Sequence, residues 1–416
     1  MDIQKYQNSM LVKNWIQWYN NTFKESSYYK GMQSCVENSC FHRENSVATH
    51  TDMVVMNMLQ LNLADGRPST DESQLAGLFA AAFHDVGKPI MKEEKFSEER
   101  GNYFSFSGHE IRSARMWEDF FMSGPEITGI TEDLFNPIVL DDLFMFKVGF
   151  MIEHHRPWGL KDVNKMDGLS LTISSLGLNS DYYRLLLADN MGRIGDSPDT
   201  LTKSVDNIDH LLSNFIEYCD INKKDDENSS AIIDTLSSLL GVSPPDRIDM
   251  DVESVIIPIA ASGSGKSTLY SEINEQLKMG KSVLHHSMDD IRIELYGSDP
   301  KKAFQDSVND PNFQSHVQKD FIDKIKTGNS VYVDNTNISR KRRRFYINQA
   351  RQRGLNTVGI IIPITFNELI SRQELRGDKR VPKEAVARQY FNMSYPMFGL
   401  EFDSIHIHSA QKLNSV

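Results

Sequence analysis

The stretch Ala260-Ala261-Ser262-Gly263-Ser264-Gly265-Lys266-Ser267-Thr268 limits what this chain can fold into more than any other. An apolar run, Val255 to Ile259, precedes it, and a helix-like segment, Leu269 to Leu277, follows. Strand, glycine loop and helix in that order make backbone N–H groups converge on a phosphate. Gly263 and Gly265 permit the tight turn, and the helix N-terminus adds partial positive charge. Lys266 is placed to reach β- and γ-phosphates and Ser267 to hold Mg²⁺, so ATP or another NTP is the expected ligand of Ser262 to Thr268. Ala260 stands where the first Gly of this pattern usually does.

With 416 residues, the chain has room for about two or three domains of ~150 residues each. Its net charge is −12, so no global cationic field draws in nucleic acid, and any such contact must rely on local basic patches. Three cysteines, Cys35, Cys40 and Cys219, form no zinc pattern and read as reduced thiols of a cytoplasmic protein. The polar N-terminus lacks the apolar core of a signal peptide, and no run is long enough to cross a membrane.

Residues 1–205 read as mostly helical. Trp15, Ile16, Trp18, Tyr19 and Phe23 recur at helical spacing and read as core. Apolar helices then carry His or Asp at their ends: His50 opens one, and another runs from Ser73 to His84-Asp85 and stops at Gly87 and Pro89. Lys92 to Gly108 reads as a charged, glycine-containing loop. Beyond it His109 begins a helix, Leu143 leads to His154-His155, and Tyr182 leads to Asp189. Imidazoles and carboxylates together suit a first-row transition metal or Mg/Mn. A carboxylate such as Asp85 can bridge two ions, a pairing that activates water against phosphorus.

The set His50, His84-Asp85 and Asp189 resembles the HD phosphohydrolase superfamily. Its surroundings, Phe83 to Pro89, Phe106 to Glu110 and Ala188 to Arg193, look like the HD domains attached to some RNA-processing enzymes. The resemblance implies that His50, His84, Asp85 and Asp189 hold one metal, and that His109 with either His154 or His155 completes a second. It places Lys88 to orient Asp85 or contact the substrate phosphate, and Arg193 to anchor Asp189 or a phosphate.

Residues 206–251 read as a connector, with helices expected over Val205–Ile221 and Ile232–Leu240. Gly241 to Asp246, with its paired prolines, is the expected domain junction. From residue 252 the pattern becomes strand, helix, strand. Val255–Ala260, Ser282–His286, Ser330–Asp334 and Thr357–Pro363 are the expected strands of a parallel sheet covered on both faces. The second strand should bring Asp289-Asp290 beside the phosphate loop, where one carboxylate can take a proton from an attacking hydroxyl and the other can cap the next helix. Asp334, at the next strand end, is placed to order Mg²⁺, hold an arginine or cap a turn. The run Arg340-Lys341-Arg342-Arg343-Arg344 is either a solvated helix face or a phosphate-backbone contact. Arg372 and Arg376, four apart, are expected on one helix face as a phosphate clamp in a lid.

These landmarks resemble the P-loop polynucleotide 5′-kinase family in Gly263 to Thr268, Asp289 to Arg292, Asp334 to Asn337, Arg372 to Gly377, and Val381-Pro382. The resemblance implies Asp289 as general base on a 5′-hydroxyl and Arg292 on the acceptor's phosphate. Arg376, helped by Arg372, would act on the transferring phosphoryl group. The carboxylate of Asp334 sits one residue earlier relative to Thr336-Asn337 than in some phage kinases.

The fold class expected is therefore multidomain: an all-α HD-type domain followed by an α/β P-loop kinase with a parallel sheet. The pairing resembles the bifunctional enzymes of nucleic-acid end healing. That implies RNA or DNA ends as partners, a ligase acting next, and no membrane. The competing expectations are a nucleoside or metabolite kinase fused to an HD nucleotide phosphohydrolase, and a regulatory protein that binds nucleotide and senses ends.

Overall fold

The computed structural model describes residues 9–37, 42, 45–64, 69–98, 101–157, 163–194, 252–275 and 282–408. The expected connector helices, the junction at 241–246, Cys40 and Cys219 lie outside them. The chain divides into two compact units, Met1–Ser237 and Ser238–Val416.

The first unit is mostly helical. Its helices are α1 (Met10–Asn21), α2 (Ser27–Ser34), α3 (Val47–Ala64), α4 (Asp71–Phe83), α5 (Lys88–Met91), α6 (His109–Met122), α7 (Pro125–Thr128), α8 (Asp142–Glu153), α9 (Val163–Ser175) and α10 (Asn179–Met191). The capping box of Thr70 and Ser73 starts α4, whose Ala-rich body is wholly buried from Leu75 onward. Trp15, Trp18, Tyr19 and Phe23 pack with Phe79 and Phe83 as the expected aromatic core, while Ile16 is only half-buried. The expected loop after Lys92 contains instead an antiparallel hairpin, β1 (Glu93–Ser97) and β2 (Gly101–Ser105). β1 is almost wholly exposed and one face of β2 is only half-buried, and neither strand carries the apolar–polar alternation in sequence that would announce it.

In the second unit the parallel sheet runs in the order β4-β5-β3-β6-β7: Val283–His286, Ser330–Val333, Ser254–Ile259, Asn356–Ile361 and Ser404–Ile407. Every residue of β3 is buried, which explains its unbroken apolar run. Pro258 fits this central strand because pairing to β5 ends at Ile256. The helices are α11 (Lys266–Glu275), α12 (Met288–Tyr296), α13 (Pro300–Asn309), α14 (Phe313–Ile325), α15 (Arg340–Arg351), α16 (Phe366–Glu374) and α17 (Lys383–Phe391). β7, four residues long, was not among the expected strands. No helix among the described residues is long and apolar enough to cross a membrane.

Candidate active sites

In the first unit, five helices deliver their polar ends to one buried point. His50 comes from the first turns of α3, His84 and Asp85 from the C-terminal end of α4, and His109 from the start of α6. His155 follows α8, and Asp189 lies near the end of α10. Gly87 lets the His-Asp corner sit against α6, since a Cβ there would lie 2.7 Å from the His109 carbonyl.

The two oxygens of Asp85 divide the imidazoles between them. Oδ2 lies 3.1 Å from His84 Nε2 and 3.7 Å from His50 Nε2, while Oδ1 lies 3.1 Å from His109 Nε2 and 3.8 Å from His155 Nε2. Two potential ion-holding groups result, His50-His84-Asp85 and Asp85-His109-His155. Asp189 Oδ1 joins the first, 2.9 Å from His50 Nε2 and 3.9 Å from His84 Nε2. Each ring's Nδ1 is spent on a backbone carbonyl: Gly192 for His50, Ala81 for His84, Phe106 for His109 and Ile152 for His155. With Nδ1 donating, Nε2 keeps its lone pair, the tautomer a metal ligand needs. His84 Nε2, His109 Nε2 and Asp85 Oδ1 are buried and take no hydrogen bond. Their donor set fits divalent transition metals or Mg/Mn.

Of the two candidates after α8, His155 stands in the group. His154 stacks on Phe150, bonds its carbonyl through Nδ1, and belongs to neither group. Lys88 Nζ contacts Asp85 Oδ2 at 2.9 Å and Glu37 Oε2 at 2.7 Å. Burial works against its charge, but the carboxylates of Asp85 and Glu37 outweigh it and hold the amine protonated. Burial would raise the Asp85 carboxyl, yet His84 and Lys88 hold it well below its ordinary range. Burial, reinforced by His84 and His109, pushes His155 well down, toward the neutral form that binds metal. Arg193 donates to Asp189 Oδ2. Glu37 has no motif around it and was not among the expected residues.

In the second unit, Gly263 and Gly265 adopt the left-handed region at φ +92° and +100°, and the loop closes onto α11. A Cβ on Gly263 would also lie 2.4 Å from Gln373 Nε2. Lys266 folds back to donate to the Ala261 carbonyl at 2.7 Å, and burial lowers its amine to about 8. Ser264 Oγ is buried without a partner, a free polar atom inside a loop shaped for phosphate. Ser267 and Thr268 are exposed at the start of α11.

The strand order corrects one expectation. β5, not β4, flanks β3, so Asp334 is the carboxylate beside the loop, accepting from Ser267 Oγ at 2.6 Å. Burial would raise Asp334, but hydrogen bonds from His285 and Ser267 keep it below its ordinary value. The helix cap expected of Asp289 or Asp290 is instead Ser287, whose Oγ accepts from Asp290 N. Asp289 stays exposed, bonded to Arg292 Nη1. Arg292 also donates to Ser307 and packs against the rings of Phe304 and Phe313. Charges at Asp334, Arg376 and Asp289 also act on the Lys266 amine, the two carboxylates raising it and the arginine lowering it.

Two further expectations change. α16 ends at Glu374, so Arg376 lies past the helix and does not share its face with Arg372. Arg372 pairs with Glu368 and reaches the Ser264 carbonyl at 3.4 Å. Gln373, next to Arg372, joins Ser262 O to Val381 N and ties the segment to the loop. Second, the basic run is partly structural: Arg343 is fully buried on Glu401, Arg340 also reaches Glu401, and Arg342 donates to Thr336.

The family described as AAA domain matches residues 255–396. No curated protein matches the chain. Among solved structures, a gluconokinase from Sinorhizobium meliloti 1021 is similar at 15% identity, covering 38% of this chain and 83% of that one, with a TM-score of 0.29. The C-terminal part is a P-loop domain of the kinase type, a fold that takes ATP with Mg²⁺.

Proposed function

We propose that the chain heals nucleic-acid ends, phosphorylating a 5′-hydroxyl in its P-loop domain and removing a 3′-phosphate or 2′,3′-cyclic phosphate in an HD-type domain. The domains would be 1–205 and 252–416, joined by a connector over 206–251. The product ends are those a nucleic-acid ligase joins. The observation that supports this reading is the presence in one chain of a phosphate loop and of a buried carboxylate flanked on both oxygens by imidazoles, with no hydrogen-bond partner on Nε2 of His84 and His109.

In the kinase half, Lys266 and the loop N–H groups bind the β- and γ-phosphates, while Ser267 and Asp334 would hold Mg²⁺. Asp289 takes the proton from the acceptor hydroxyl. As the new O–P bond forms, the bond from the γ-phosphorus to the β–γ bridging oxygen breaks, and Arg376 and Arg372 offset the charge. In the other half, His50, His84, Asp85 and Asp189 would hold one divalent ion, and Asp85, His109 and His155 a second. Ions there supply Lewis-acid activation of water and phosphorus. Lys88 fixes Asp85 and presents positive charge toward the substrate phosphate.

One observation favours the competing small-molecule reading: burial of Arg343 leaves less of the basic run to meet a polynucleotide. The test offers full-length protein, Mg²⁺ and γ-labelled ATP to a 5′-hydroxyl oligonucleotide and to free nucleosides. Label in the oligonucleotide is expected; label in nucleosides alone transfers the argument to the competitor.

A further inference from the structure

β4 ends in two histidines that point to opposite faces of the sheet. His286 is fully buried, with Nδ1 on Asp320 at 2.7 Å. His285 faces α11, stacked on Tyr270 with ring centroids 4.3 Å apart. Both its nitrogens meet carboxylates: Nε2 lies 3.1 Å from Asp334 Oδ2, and Nδ1 lies 2.9 Å from Asp290 Oδ2. Asp334 is the acid that Ser267 also touches, through the same Oδ2. Asp290 belongs to α12, next to Asp289.

We propose that His285 is a positioning residue that fixes the Asp334 carboxylate for Mg²⁺–nucleotide binding and joins it, through Asp290, to the helix bearing the acceptor-side acid. Both side-chain donors to Asp334 are on Oδ2, which leaves Oδ1 for the ion and its water shell. Ser267 gives Asp334 only its proton and keeps its oxygen lone pairs for the ion, so its position follows the ion as well as the carboxylate. His285 is the side chain on Oδ2 that has no expected bond to the ion and so can fix the carboxylate from behind. The stacked Tyr270 ring limits rotation of the imidazole, and Tyr332, on the neighbouring strand, anchors the start of α11 by donating to the Lys266 carbonyl at 2.7 Å. An outer partner that orients a metal-binding carboxylate typically changes metal affinity by 10- to 100-fold when removed. This inference rests on the P-loop kinase reading and is independent of what the acceptor is.

The test measures binding of the fluorescent analogue mant-ATP to full-length protein, in EDTA and across a Mg²⁺ titration. The wild type should bind more tightly with Mg²⁺. His285→Ala should lose about 10- to 100-fold of that Mg²⁺-dependent gain while its affinity in EDTA stays unchanged. Two conservative variants separate the bonds. Gln places its amide near the position of Nε2 and should retain the gain through Asp334. Asn places its amide near Nδ1, serves Asp290 alone, and should behave like Ala. The inference is overturned if His285→Ala keeps the wild-type gain, or if its EDTA affinity drops as far as its Mg²⁺ affinity, since the side chain then only shapes the pocket. A wild type with no Mg²⁺-dependent gain would instead remove the kinase reading itself, and the inference with it.

Discussion

His154 and His155 are adjacent, yet only His155 stands in a group that could hold a metal ion. α8 ends at Glu153, and the chain then turns so that His155 Nε2 faces Asp85 while the His154 ring lies flat on Phe150. Reconstitution with Mn²⁺, followed by elemental analysis of the desalted protein, should find His155→Ala depleted and His154→Ala at the wild-type level. Equal losses in both variants would mean that the second group is not a binding site. Both histidines are buried, so a comparison of thermal unfolding separates ligand loss from damaged packing.

α15 shows how a charged run divides its work. Of its five leading basic residues, Arg343 faces inward, bonding Glu401 at 2.9 and 3.1 Å as well as the carbonyls of Asn337 and Ser394. Removing one partner strands a buried charge, at a cost of about 3–5 kcal/mol. Arg343→Ala should therefore shift the urea unfolding midpoint sharply, while the exposed Lys341→Ala should change stability by less than about 0.5 kcal/mol. The opposite ranking would show that Glu401 is not held in this pair. If Lys341 and Arg344 touch a nucleic-acid backbone, their alanine variants should also flatten the salt dependence of oligonucleotide binding.

At the scale of the whole chain, each unit carries its own polar constellation. Loss of one chemistry should therefore leave the other intact. Asp85→Ala removes the carboxylate common to both potential ion-holding groups and, on the proposed function, should lower release of a 3′-terminal phosphate by roughly 10³-fold, with 5′-labelling unchanged. Lys266→Ala and Asp289→Ala should do the reverse. Loss of both activities in the Asp85 variant, with its fold intact by circular dichroism, would contradict separate sites.

Local chemistry determined much of this protein. The phosphate loop is contiguous, and its conformation follows from glycines inside nine residues, so it was readable before any folding was considered. The His-Asp pair, the helical first half and most strands of the parallel sheet were legible from spacing and hydropathy for the same reason. What the chain alone left open was decided by long-range packing. His50 and Asp189, 139 residues apart, become neighbours only when α3 and α10 pack. The choice of His155 depends on where α8 stops, and the place of Asp334 on a strand order that hydropathy does not encode. Glu37, His285 and Gln373 carry no spacing signal, because a lone polar side chain acquires its role from whatever the fold sets against it.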